Sequence, residues 1–300
     1  MTSKIKINFL GTADAIPSKN RNHLAVLLTF EGENILFDCG EGTQRQLRKA
    51  NLNPCKLTKI LISHTHADHV LGLVGILETL NLSGYSKKLE IFGPRGIKEF
   101  LKDLFETFRV NLNYELEIKE VFGKFFENKD FYLSAERMEH GSSCNAYSFV
   151  MKDKLKIDKS KLKKFKIPSG KHLSEISQGR DIVFEGKKFK AKDLVYSEKG
   201  KKVSYVVDTL MNSRIQDFVD RSDVFICEGT FSKEEEAMAR EKKHLTFEQA
   251  GKIAKDAKVG KLFLVHIGQR YSRCMKEVEK SVKKIFKNSF LPRDLDVVEL

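Results

Sequence analysis

The chain has 300 residues and a net charge of +13, with 54 Lys and Arg against 41 Asp and Glu. A chain of this length forms one large domain or two small ones, and it buries enough surface to fold without disulfides. No stretch approaches the roughly 18 apolar residues of a membrane span, and the polar first residues lack the apolar segment of a signal peptide. The five cysteines are scattered and include no C-x-x-C pair, which indicates reduced thiols. We therefore expect a cytoplasmic protein with no membrane contact, and the basic charge favours a polyanionic partner.

The positive charge is concentrated in residues 151–202. This stretch has sixteen Lys and one Arg against seven acidic residues, a net charge of +10, so the other 248 residues carry only +3. Its lysines form two clusters, KLKKFK at 161–166 and KKFKAK at 187–192, on either side of the turn sequence IPSG at 167–170. Charge alone leaves two interpretations open. The stretch is either a solvated face or an arm that binds phosphates through its clustered lysines, among them Lys161, Lys163, Lys164 and Lys166.

Hydrophobic patterning predicts alternating strands and helices along the rest of the chain. The predicted strands cover 4–10, 25–30, 34–38, 59–63, 88–92, 203–207, 224–227 and 261–265. The predicted helices comprise one through Gln44, Leu47 and Arg48, then 70–82, 95–108, 246–257 and 277–286. Strands interleaved with helices predict an α/β layered core.

The sequence His64-Thr65-His66-Ala67-Asp68-His69 lies between a predicted strand and a predicted helix. Three imidazoles and a carboxylate within six residues are difficult to explain by packing. Alternate residues of an extended loop point the same way, so His64 and His66 are able to share one ion while Asp68 and His69 turn toward a second position. Nitrogen and oxygen ligands without thiolate are typical of a hydrolytic zinc site with an open coordination position.

Further candidate ligands follow other predicted strands. His140 comes after the strand-like sequence FYLSAERME, Asp208 follows the strand at 203–207, and His266 follows the strand at 261–265. Open α/β sheets bind ligands beyond the carboxyl ends of their strands, which is where these three side chains fall. Each of them alone is equally compatible with a structural role. As a set they match the first motif, and the Asp208 carboxylate is able to bridge two cations.

Several segments together resemble the ribonuclease Z family of the metallo-β-lactamase superfamily. HTHADH is the signature of that fold, and ribonuclease Z is the endonuclease that processes tRNA 3′ ends. The more specific matches are FLGT at 9–12, IPSKNRN at 16–22, FDCGEGTQ at 37–44, IFGPRG at 91–96 and HIGQRY at 266–271. The resemblance covers nearly the whole chain at the short, single-module size. It implies an α/β fold, a four-layer αββα sandwich formed by a single domain over 1–300, with a protruding basic tRNA-binding arm inserted at about 151–202.

The resemblance also implies two zinc ions per subunit, with manganese or another divalent metal as an alternative. The implied ligands are His64, His66 and His140 for one ion, Asp68, His69 and His266 for the other, and Asp208 as the bridge. Asp38 resembles an aspartate that organises the site without binding metal. Glu228 and His244 match residues of the family's His-Glu-Ala-Thr and His-Ser-Thr elements, although without the family each is readily explained as an ordinary polar residue.

The implied activity is zinc-dependent endonucleolytic removal of the 3′ trailer from tRNA precursors. Metal-activated hydroxide would attack the phosphodiester, leaving a 3′-hydroxyl on the tRNA and a 5′-phosphate on the trailer. Asp68 would orient that hydroxide and accept its proton, while His244, held by Glu228, would protonate the leaving 3′-oxygen. The basic residues in the matched loops that would hold the acceptor end are Lys19, Arg21 and Arg270.

Some positions depart from the family pattern. Cys227 stands in place of the first residue of the His-Glu-Ala-Thr element, Gly229 in place of its alanine, and Leu245 in place of the usual serine. Asp208 lacks the Gly and Arg that commonly flank the bridging aspartate. Because none of these changes removes an implied ligand, we expect them to affect substrate preference or rate and not metal binding.

The position of the basic stretch adds to its interpretation. It lies between the His140 and Asp208 motifs, where ribonuclease Z proteins carry an arm that binds tRNA, and its Pro-Ser-Gly turn resembles the Gly-Pro segment of that arm. Members of the family are commonly homodimers in which the arm of one subunit holds tRNA for the active site of the other. From the resemblance we therefore expect a precursor tRNA as partner and a homodimer.

Two other functional classes share these motifs. A small-substrate hydrolase of the same fold, such as an arylsulfatase or a phosphodiesterase, has the same metal motifs but does not require a net charge of +10 in one segment. A non-catalytic RNA-binding homologue would have lost metal ligands, whereas all seven ligand positions are present in this sequence.

Overall fold

The computed structural model describes residues 4–168 and 170–300, so Ser169 of the predicted turn and the first three residues lie outside the described part. The strands in the described part, numbered in chain order, are β1 (Lys6–Gly11), β2 (Ala25–Phe30), β3 (Glu33–Phe37), β4 (Lys59–Leu61), β5 (Leu89–Gly93), β6 (Leu116–Glu120), β7 (Gly123–Glu127), β8 (Phe131–Glu139), β9 (Ser143–Met151), β10 (Lys154–Ile157), β11 (Ile182–Phe184), β12 (Lys187–Phe189), β13 (Val195–Glu198), β14 (Lys202–Val206), β15 (Val224–Glu228), β16 (Lys261–Val265), β17 (Ser289–Phe290) and β18 (Val297–Glu299).

The α-helices of the same residues are α1 (Thr43–Lys49), α2 (Ala67–Val70), α3 (Leu73–Leu82), α4 (Ile97–Phe108), α5 (Lys159–Lys164), α6 (Lys171–Ser177), α7 (Ala191–Leu194), α8 (Ser213–Val219), α9 (Glu236–Lys242), α10 (Phe247–Asp256) and α11 (Met275–Ile285). Short 3₁₀ turns cover Pro54–Lys56, Lys233–Glu235 and Gln269–Tyr271. Among the residues described, no helix combines the length and the apolar surface needed to cross a bilayer.

Two large sheets organise most of the described chain. The strand order is β18-β1-β2-β3-β4-β5-β6 in the first sheet and β17-β16-β15-β14-β9-β8-β7 in the second. Strands β3 to β6 run parallel to one another, and so do β14 to β17. Because parallel strands end at the same edge of a sheet, residues that follow β3 and β4, or β14 to β16, are brought together at that edge.

Helices cover the outer face of each sheet. Leu47 of α1 and Leu77 of α3 belong to one buried cluster with Leu36 of β3. On the second sheet, Ile253 of α10 belongs to a corresponding cluster with Phe225 of β15. These clusters form because each helix has an apolar stripe that is buried against a strand face.

Aromatic side chains fill the space between the sheets. The ring centroids of Phe9 and Phe263 are 5.4 Å apart, and those of Phe37 and Tyr205 are 5.2 Å apart. Successive strand residues point to opposite faces, so Leu36 contacts the helices while its neighbour Phe37 contacts the other sheet. Both faces of the central strands are therefore buried. The resulting order of layers is the αββα sandwich that the family resemblance implied, and it agrees with the α/β layered core predicted from the residue pattern.

Residues Asn128–Tyr132 and Val150–Lys201 form a second compact unit, separate from the unit that contains both sheets. Its strands pair as β10 with β13 and β11 with β12, and its own small core contains Leu162, Ile176 and Leu194. The Lys-rich stretch is therefore folded around apolar residues of its own. Its predicted role in binding tRNA stays a prediction.

The predicted helix over 70–82 is divided in the structure. α2 ends at Val70 and α3 begins at Leu73. At Gly72 between them, a Cβ atom would lie 2.2 Å from the carbonyl oxygen of Gly40, and the Gly72 amide donates to the carbonyl of Cys39 at 2.9 Å. The close approach of the loop after β3 therefore requires glycine here and bends the chain away from a continuous helix.

Candidate metal centre

The candidate site residues follow the ends of strands in both sheets. Asp38 follows β3, and the segment from Ser63 to His69 follows β4. From the second sheet, Asp208 follows β14 and His266 follows β16 directly. Apolar strands thus carry polar side chains to one edge of the sandwich, as the sequence pattern predicted.

Three of these residues have left-handed backbone conformations. The φ angles are 53° at Asp38, 51° at Asp208 and 53° at His266. A non-glycine residue in this region costs about 1–3 kcal/mol and persists only where the surrounding structure enforces it. The sharp turn that it produces directs each side chain inward at the end of its strand.

The first group of potential ligand atoms belongs to His64, His66, His140 and Asp208, which lie within 4.8 Å of one another. The Nε2 atoms of His64 and His140 are 3.6 Å and 3.8 Å from Oδ2 of Asp208. His66 Nδ1 is 3.2 Å from His140 Nε2. Four residues from three separate parts of the chain are therefore close enough to share one cation.

The second group contains Asp68, His69 and His266 and has the same 4.8 Å limit. Asp68 Oδ2 is 3.2 Å from His69 Nε2 and 3.3 Å from His266 Nε2. The Asp208 carboxylate also faces this group, with Oδ2 3.6 Å from His69 Nε2 and Oδ1 3.4 Å from His266 Nε2. Asp208 thus lies between the two groups, where its two oxygens are able to serve both.

The orientation of four imidazoles is set through their Nδ1 atoms. His64 Nδ1 is 3.0 Å from Ser63 Oγ, His69 Nδ1 is 2.8 Å from Asp38 Oδ2, His140 Nδ1 is 3.1 Å from the Lys243 carbonyl oxygen, and His266 Nδ1 is 3.0 Å from Thr230 Oγ1. Each contact leaves Nε2 to face the Asp208 carboxylate. Outer hydrogen bonds of this kind fix the tautomer and direction of metal-binding histidines.

Unsatisfied atoms at the centre of the cluster fit a divalent cation. His64 Nε2, His69 Nε2 and Asp208 Oδ1 are buried and have no hydrogen-bond partner among the described residues. Buried polar atoms are normally paired, so three such atoms facing one another require an explanation. A cation satisfies all of them, and nitrogen and oxygen donors without thiolate suit zinc or a similar divalent ion.

Charges in the cluster are strongly coupled. Burial lowers the pKa of His64 well below its ordinary value, and the neighbouring His69 contributes to that decrease. Burial also opposes a charge on His69, but the carboxylates of Asp208 and Asp38 outweigh it and raise the pKa of His69. Burial would raise the pKa of Asp208, but His266 and His69 outweigh it and hold that pKa well below the ordinary range. The cluster therefore combines a neutral His64 with a protonated His69 beside the Asp208 carboxylate, and a metal ion would replace the proton on His69.

Asp38 lies behind the ligands and is fully buried. Its Oδ1 accepts a hydrogen bond from the Ser63 amide at 2.6 Å, and its Oδ2 accepts from Ser63 Oγ at 2.8 Å and from the Tyr205 hydroxyl at 2.7 Å. The same Oδ2 contacts His69 Nδ1 at 2.8 Å. Asp38 therefore connects Ser63, which lies two residues after β4, with the candidate ligand His69 and with Tyr205 in β14 of the other sheet.

The buried Glu228 and the partly buried His244 form a pair beside the cluster of candidate ligands. Glu228 Oε2 is 3.0 Å from His244 Nδ1 and accepts from Thr230 Oγ1 at 2.6 Å, while Oε1 accepts from the Thr209 amide at 2.7 Å. The ring of His244 is 5.1 Å from that of His140 and 5.5 Å from that of His266. Burial would lower the pKa of His244, but Glu228 outweighs it and raises the pKa to about 9.

The predicted substrate-binding residues of the loops lie in different environments. Lys19 is exposed. Arg270 Nη1 contacts Glu235 Oε1 at 2.6 Å, and half of its side chain remains exposed. Arg21 is held within the fold, because its Nη1 donates to Thr12 Oγ1 at 2.6 Å and to the Pro292 carbonyl at 3.0 Å. These contacts give Arg21 a role in holding its loop.

The predicted lysines of the basic stretch lie in and just after α5. Lys161 is 4.0 Å from Asp158, and the ammonium of Lys164 is 5.9 Å from the ring centroid of Phe165. For Lys163 and Lys166, the described part of the chain contains no ion-pair partner within 4.0 Å. Their positive charges are therefore not neutralised locally.

Sequence reasoning missed the residues that hold the ligands. Thr230 contacts Glu228 and His266, Ser63 contacts Asp38 and His64, and Lys243 supplies its carbonyl oxygen to His140. Ser63 and Thr230 adjoin residues that the sequence singled out, and that proximity is a usable signal. The Lys243 carbonyl has no signal in the sequence, because any residue type provides one.

Comparisons with known proteins show what the chain resembles. A ribonuclease Z of Nanoarchaeum equitans is 35% identical over 293 residues, which cover 98% of this chain and 92% of that relative. The family model described as Anti-Pycsar protein Apyc1 matches residues 5–273.

Solved structures share the fold over almost the whole chain. The crystal structure of human tRNase Z, short form (ELAC1), has a TM-score of 0.70 and 25% identity and covers 98% of each chain. The metallo-β-lactamase fold protein YhfI from Bacillus subtilis has a TM-score of 0.71 and 17% identity, covering 99% of this chain and 100% of its own. The four-layer sandwich is therefore a metallo-β-lactamase fold.

Proposed function

The chain belongs to the ribonuclease Z family, as well as to the family of the Apyc1 model, and from the first membership we propose that it is an endoribonuclease that removes the 3′ trailer from precursor tRNAs. The products would be a tRNA with a 3′-hydroxyl and a trailer with a 5′-phosphate. The enzyme is a hydrolase of the metallo-β-lactamase superfamily, and its seven candidate ligands lie in two adjoining groups.

The observation that carries the choice of an RNA substrate is the unneutralised charge of the second compact unit, Asn128–Tyr132 and Val150–Lys201, which we call the basic unit. Residues 151–202 carry +10, and acidic residues within the unit already pair with Lys154, Lys156, Lys188 and Lys199. Lys163 and Lys166, which have no acidic partner within 4.0 Å among the residues described, are available to phosphates. Clustered lysines bind polyanions through release of counterions, which a small substrate does not provide.

Two zinc ions, or two manganese ions, are the cofactor that we propose for this centre. One would be held by His64, His66 and His140, the other by Asp68, His69 and His266, with Asp208 between them. When bound, such ions lower the pKa of water so that a nucleophile is available at neutral pH, and they stabilise negative charge on the reacting oxygens.

Asp68 has a position suited to proton transfer. Its side chain is mostly buried, and its Oδ2 is within 3.3 Å of two imidazole nitrogens. Burial would raise the pKa of Asp68, but the adjacent His266 and His69 outweigh it, hold that pKa well below its ordinary range and keep the carboxylate ionised. An ionised carboxylate at this point is able to orient the attacking water and accept its proton at Oδ2.

His244 is the proposed acid for the leaving 3′-oxygen. Glu228 contacts its Nδ1 and keeps the imidazole protonated near neutral pH, so Nε2 on the other side of the ring carries a transferable proton. Thr230 and the Thr209 amide hold Glu228 in place from two directions. Glu228 therefore acts through His244 and has a positioning role.

The remaining proposals concern the substrate and the assembly. Lys19 and the exposed half of Arg270 are candidates for holding the acceptor end, whereas Arg21 supports the loop that carries Lys19.

We also propose a homodimer in which the basic unit of one subunit serves the metal centre of the other. The test mixes an Asp68→Asn chain with a chain whose lysines 163, 164 and 166 are replaced by Gln. In a mixed dimer, the intact lysines of the first chain would then serve the intact metal centre of the second. Activity above that of either variant supports the dimer, and no gain on mixing contradicts it.

The experiment that tests the activity is cleavage of a 3′-extended precursor tRNA with zinc or manganese, followed by mapping of both new ends. The proposal requires a single cut at the trailer junction, a 3′-hydroxyl and a 5′-phosphate, and loss of cleavage in the Asp68→Asn variant. A cyclic nucleotide and bis-p-nitrophenyl phosphate are tested in parallel. Turnover of either small substrate without cleavage of the precursor would overturn the proposal.

A further inference from the structure

A cleft of about 510 Å³ lies at the end of the first sheet opposite the metal centre. Its lining includes Gly32 and Asn34 at the start of β3 and Leu57 just before β4. The metal-centre residues Asp38 and His64 follow the other ends of these same strands. The cleft is therefore a separate site within the unit that contains both sheets, and its volume is within the range of small-ligand pockets, about 300–1,000 Å³.

Cross-strand register explains the chemistry of the cleft floor. Lys6 of β1 is paired with Thr29 of β2, which is paired with Asn34 of β3, and all three line the cleft. Two residues further along β1, Asn8 is paired with Leu27 of β2, and both of these residues also line the cleft. Residues paired across strands point to the same face, so polar and apolar side chains lie in adjacent rows.

Asn8 is the most informative residue of the floor. Its side chain is 3% exposed, and its Nδ2 has no hydrogen-bond partner among the described residues. A buried amide donor without an acceptor costs about 1–3 kcal/mol, so its presence requires an explanation. The neighbouring residues of its row, Leu27 and Leu36, offer only apolar side chains. An acceptor oxygen on a bound molecule would satisfy it.

The charged residues of the cleft are basic. Lys6, Lys56 and Lys87 line it, and among the residues described its lining contains no acidic residue. None of these three lysines has an ion pair within the described part of the chain, and Glu299, which is paired with Lys6 in register, contacts Lys4 at 3.0 Å instead. Uncompensated lysines around a concave site favour an anion, and lysine is a common ligand of phosphate.

The lining also contains apolar residues. Leu52 is partly exposed and offers a surface against which a flat ring is able to pack, whereas Leu47 and Leu57 are almost fully buried. Asn34, Asn51 and Asn53 place amide groups beside it. The cleft thus combines sites for a phosphate, for the face of a ring and for the polar edge of that ring.

We propose that this cleft binds a nucleoside phosphate, with the phosphate on the lysines, the base against the leucines and an acceptor oxygen on Asn8 Nδ2. The proposal is independent of the reaction at the metal centre. A nucleoside monophosphate contains no phosphodiester bond, so it is a ligand that the proposed endonuclease would not consume.

The test uses the full chain with methyl-labelled leucines and titrates adenosine 5′-monophosphate, adenosine and inorganic phosphate separately. The methyl resonances of Leu47 and Leu57 report on the cleft, and that of Leu210, which follows the candidate ligand Asp208 by two residues, reports on the metal centre. We expect saturable shifts at Leu47 and Leu57, with the monophosphate binding at least about tenfold more tightly than either fragment.

Two sets of variants separate binding from folding. The double variant Lys56→Gln/Lys87→Gln should weaken monophosphate binding by about tenfold or more, whereas Lys49→Gln/Lys98→Gln, with the same charge change on exposed residues outside the cleft, should leave it unchanged. Asn8→Leu removes the unpaired amide at similar volume, so it should keep or raise the melting temperature while abolishing binding.

Three results would overturn the proposal. The first is that no leucine methyl resonance shifts at about 10 mM adenosine monophosphate, and the second is that only the resonance of Leu210 shifts. The third is that inorganic phosphate alone binds as tightly as the monophosphate. Unchanged binding in a folded Asn8→Leu protein would remove the role assigned to Asn8 and contradict the proposed pose. These results do not bear on the proposed cleavage of precursor tRNA, because the substituted residues lie outside the metal centre. The two proposals therefore fail independently.

Discussion

The metal centre and the basic unit meet different physical requirements. At the metal centre, seven candidate ligands come from separate strand ends, and four imidazoles are oriented through their Nδ1 atoms. In the basic unit, a few apolar residues such as Leu162 and Ile176 form a small core, and for lysines such as Lys163 and Lys166 the described part of the chain offers no acidic partner within 4.0 Å. The comparison shows that the metal centre depends on exact positions, whereas the basic unit depends on charge density. Substitutions should therefore have local and large effects at the first and distributed and small effects at the second.

The largest effect is expected from Asp208→Ala. Asp208 faces both ligand groups, so its loss should reduce bound metal and lower kcat/KM by at least about 10³-fold on precursor tRNA and on a small phosphodiester alike. Metal analysis of the purified protein and steady-state kinetics measure this. The exposed Asp217 provides the control, since Asp217→Ala should change neither quantity. Normal metal content in the Asp208→Ala protein would contradict the proposed role of Asp208 as the ligand between the two ions.

A smaller effect, which depends on pH, is expected from Glu228→Gln. Burial lowers the pKa of His244, but Glu228 outweighs it and raises the pKa to about 9, so the acid form persists at neutral pH and activity falls as pH rises through that value. Without the carboxylate charge this alkaline decline should move to lower pH, with a loss of about 10²-fold at pH 8 on precursor tRNA. The pH profile of kcat/KM measures it.

The matched substrate for that variant is bis-p-nitrophenyl phosphate. Its leaving group departs without protonation, so hydrolysis should depend much less on Glu228 than cleavage of the precursor does. Combining Glu228→Gln with His244→Ala should add little to the loss from His244→Ala alone. Additive losses would contradict a joint role for the pair.

A still smaller effect is expected from neutralising part of the basic unit. Replacing Lys163, Lys164 and Lys166 by Gln should raise KM for precursor tRNA by about tenfold and reduce its salt dependence, because three phosphate contacts are lost. Hydrolysis of a small phosphodiester should not change. The control replaces the exposed Lys49, Lys98 and Lys102 by Gln, which removes the same charge from the other unit. Equal effects of both triple variants would show that only net charge matters.

The smallest effect is expected from Tyr205→Phe, and it concerns stability. Tyr205→Phe removes a hydrogen bond to the buried Asp38 carboxylate and should lower the free energy of unfolding by about 1.5–3 kcal/mol. Tyr147→Phe is the matched control, since its equally buried hydroxyl donates to a neutral carbonyl, that of Ile62, at 2.7 Å, and should cost about 0.5–1.5 kcal/mol. Urea unfolding compares them. Equal losses would indicate that the hydrogen bond to Asp38 contributes no more than one to a neutral carbonyl.

The candidate ligands are visible in the sequence, whereas the residues that orient them are not. HTHADH is a local pattern, and His140, Asp208 and His266 each follow a strand that apolar residues make visible. The partners of the imidazoles, such as the Lys243 carbonyl and Thr230, depend on how distant segments meet, which no local pattern encodes. The division of the predicted helix at Gly72 has the same origin, because it depends on the approach of Gly40.

Secondary structure was predicted well where strands are buried on both sides. β1, β2, β15 and β16 lie within one or two residues of their predicted bounds, since continuous or alternating apolar residues mark them. The short strands of the basic unit were missed because their exposed faces carry lysines. Asn8 shows a further limit, because an asparagine in an alternating strand does not indicate that its amide lacks a partner.

The most direct test of the difference between the two regions is replacement of residues 151–202 by a short Gly–Ser linker. Cleavage of a 3′-extended precursor tRNA and hydrolysis of bis-p-nitrophenyl phosphate are then compared in the same preparation. We predict that cleavage of the precursor is abolished, because the clustered lysines are lost. Hydrolysis of the small substrate should stay within about twofold of that of the intact chain, because the linker leaves every candidate metal ligand in place. Equal loss of both activities in a protein that still unfolds cooperatively would contradict it.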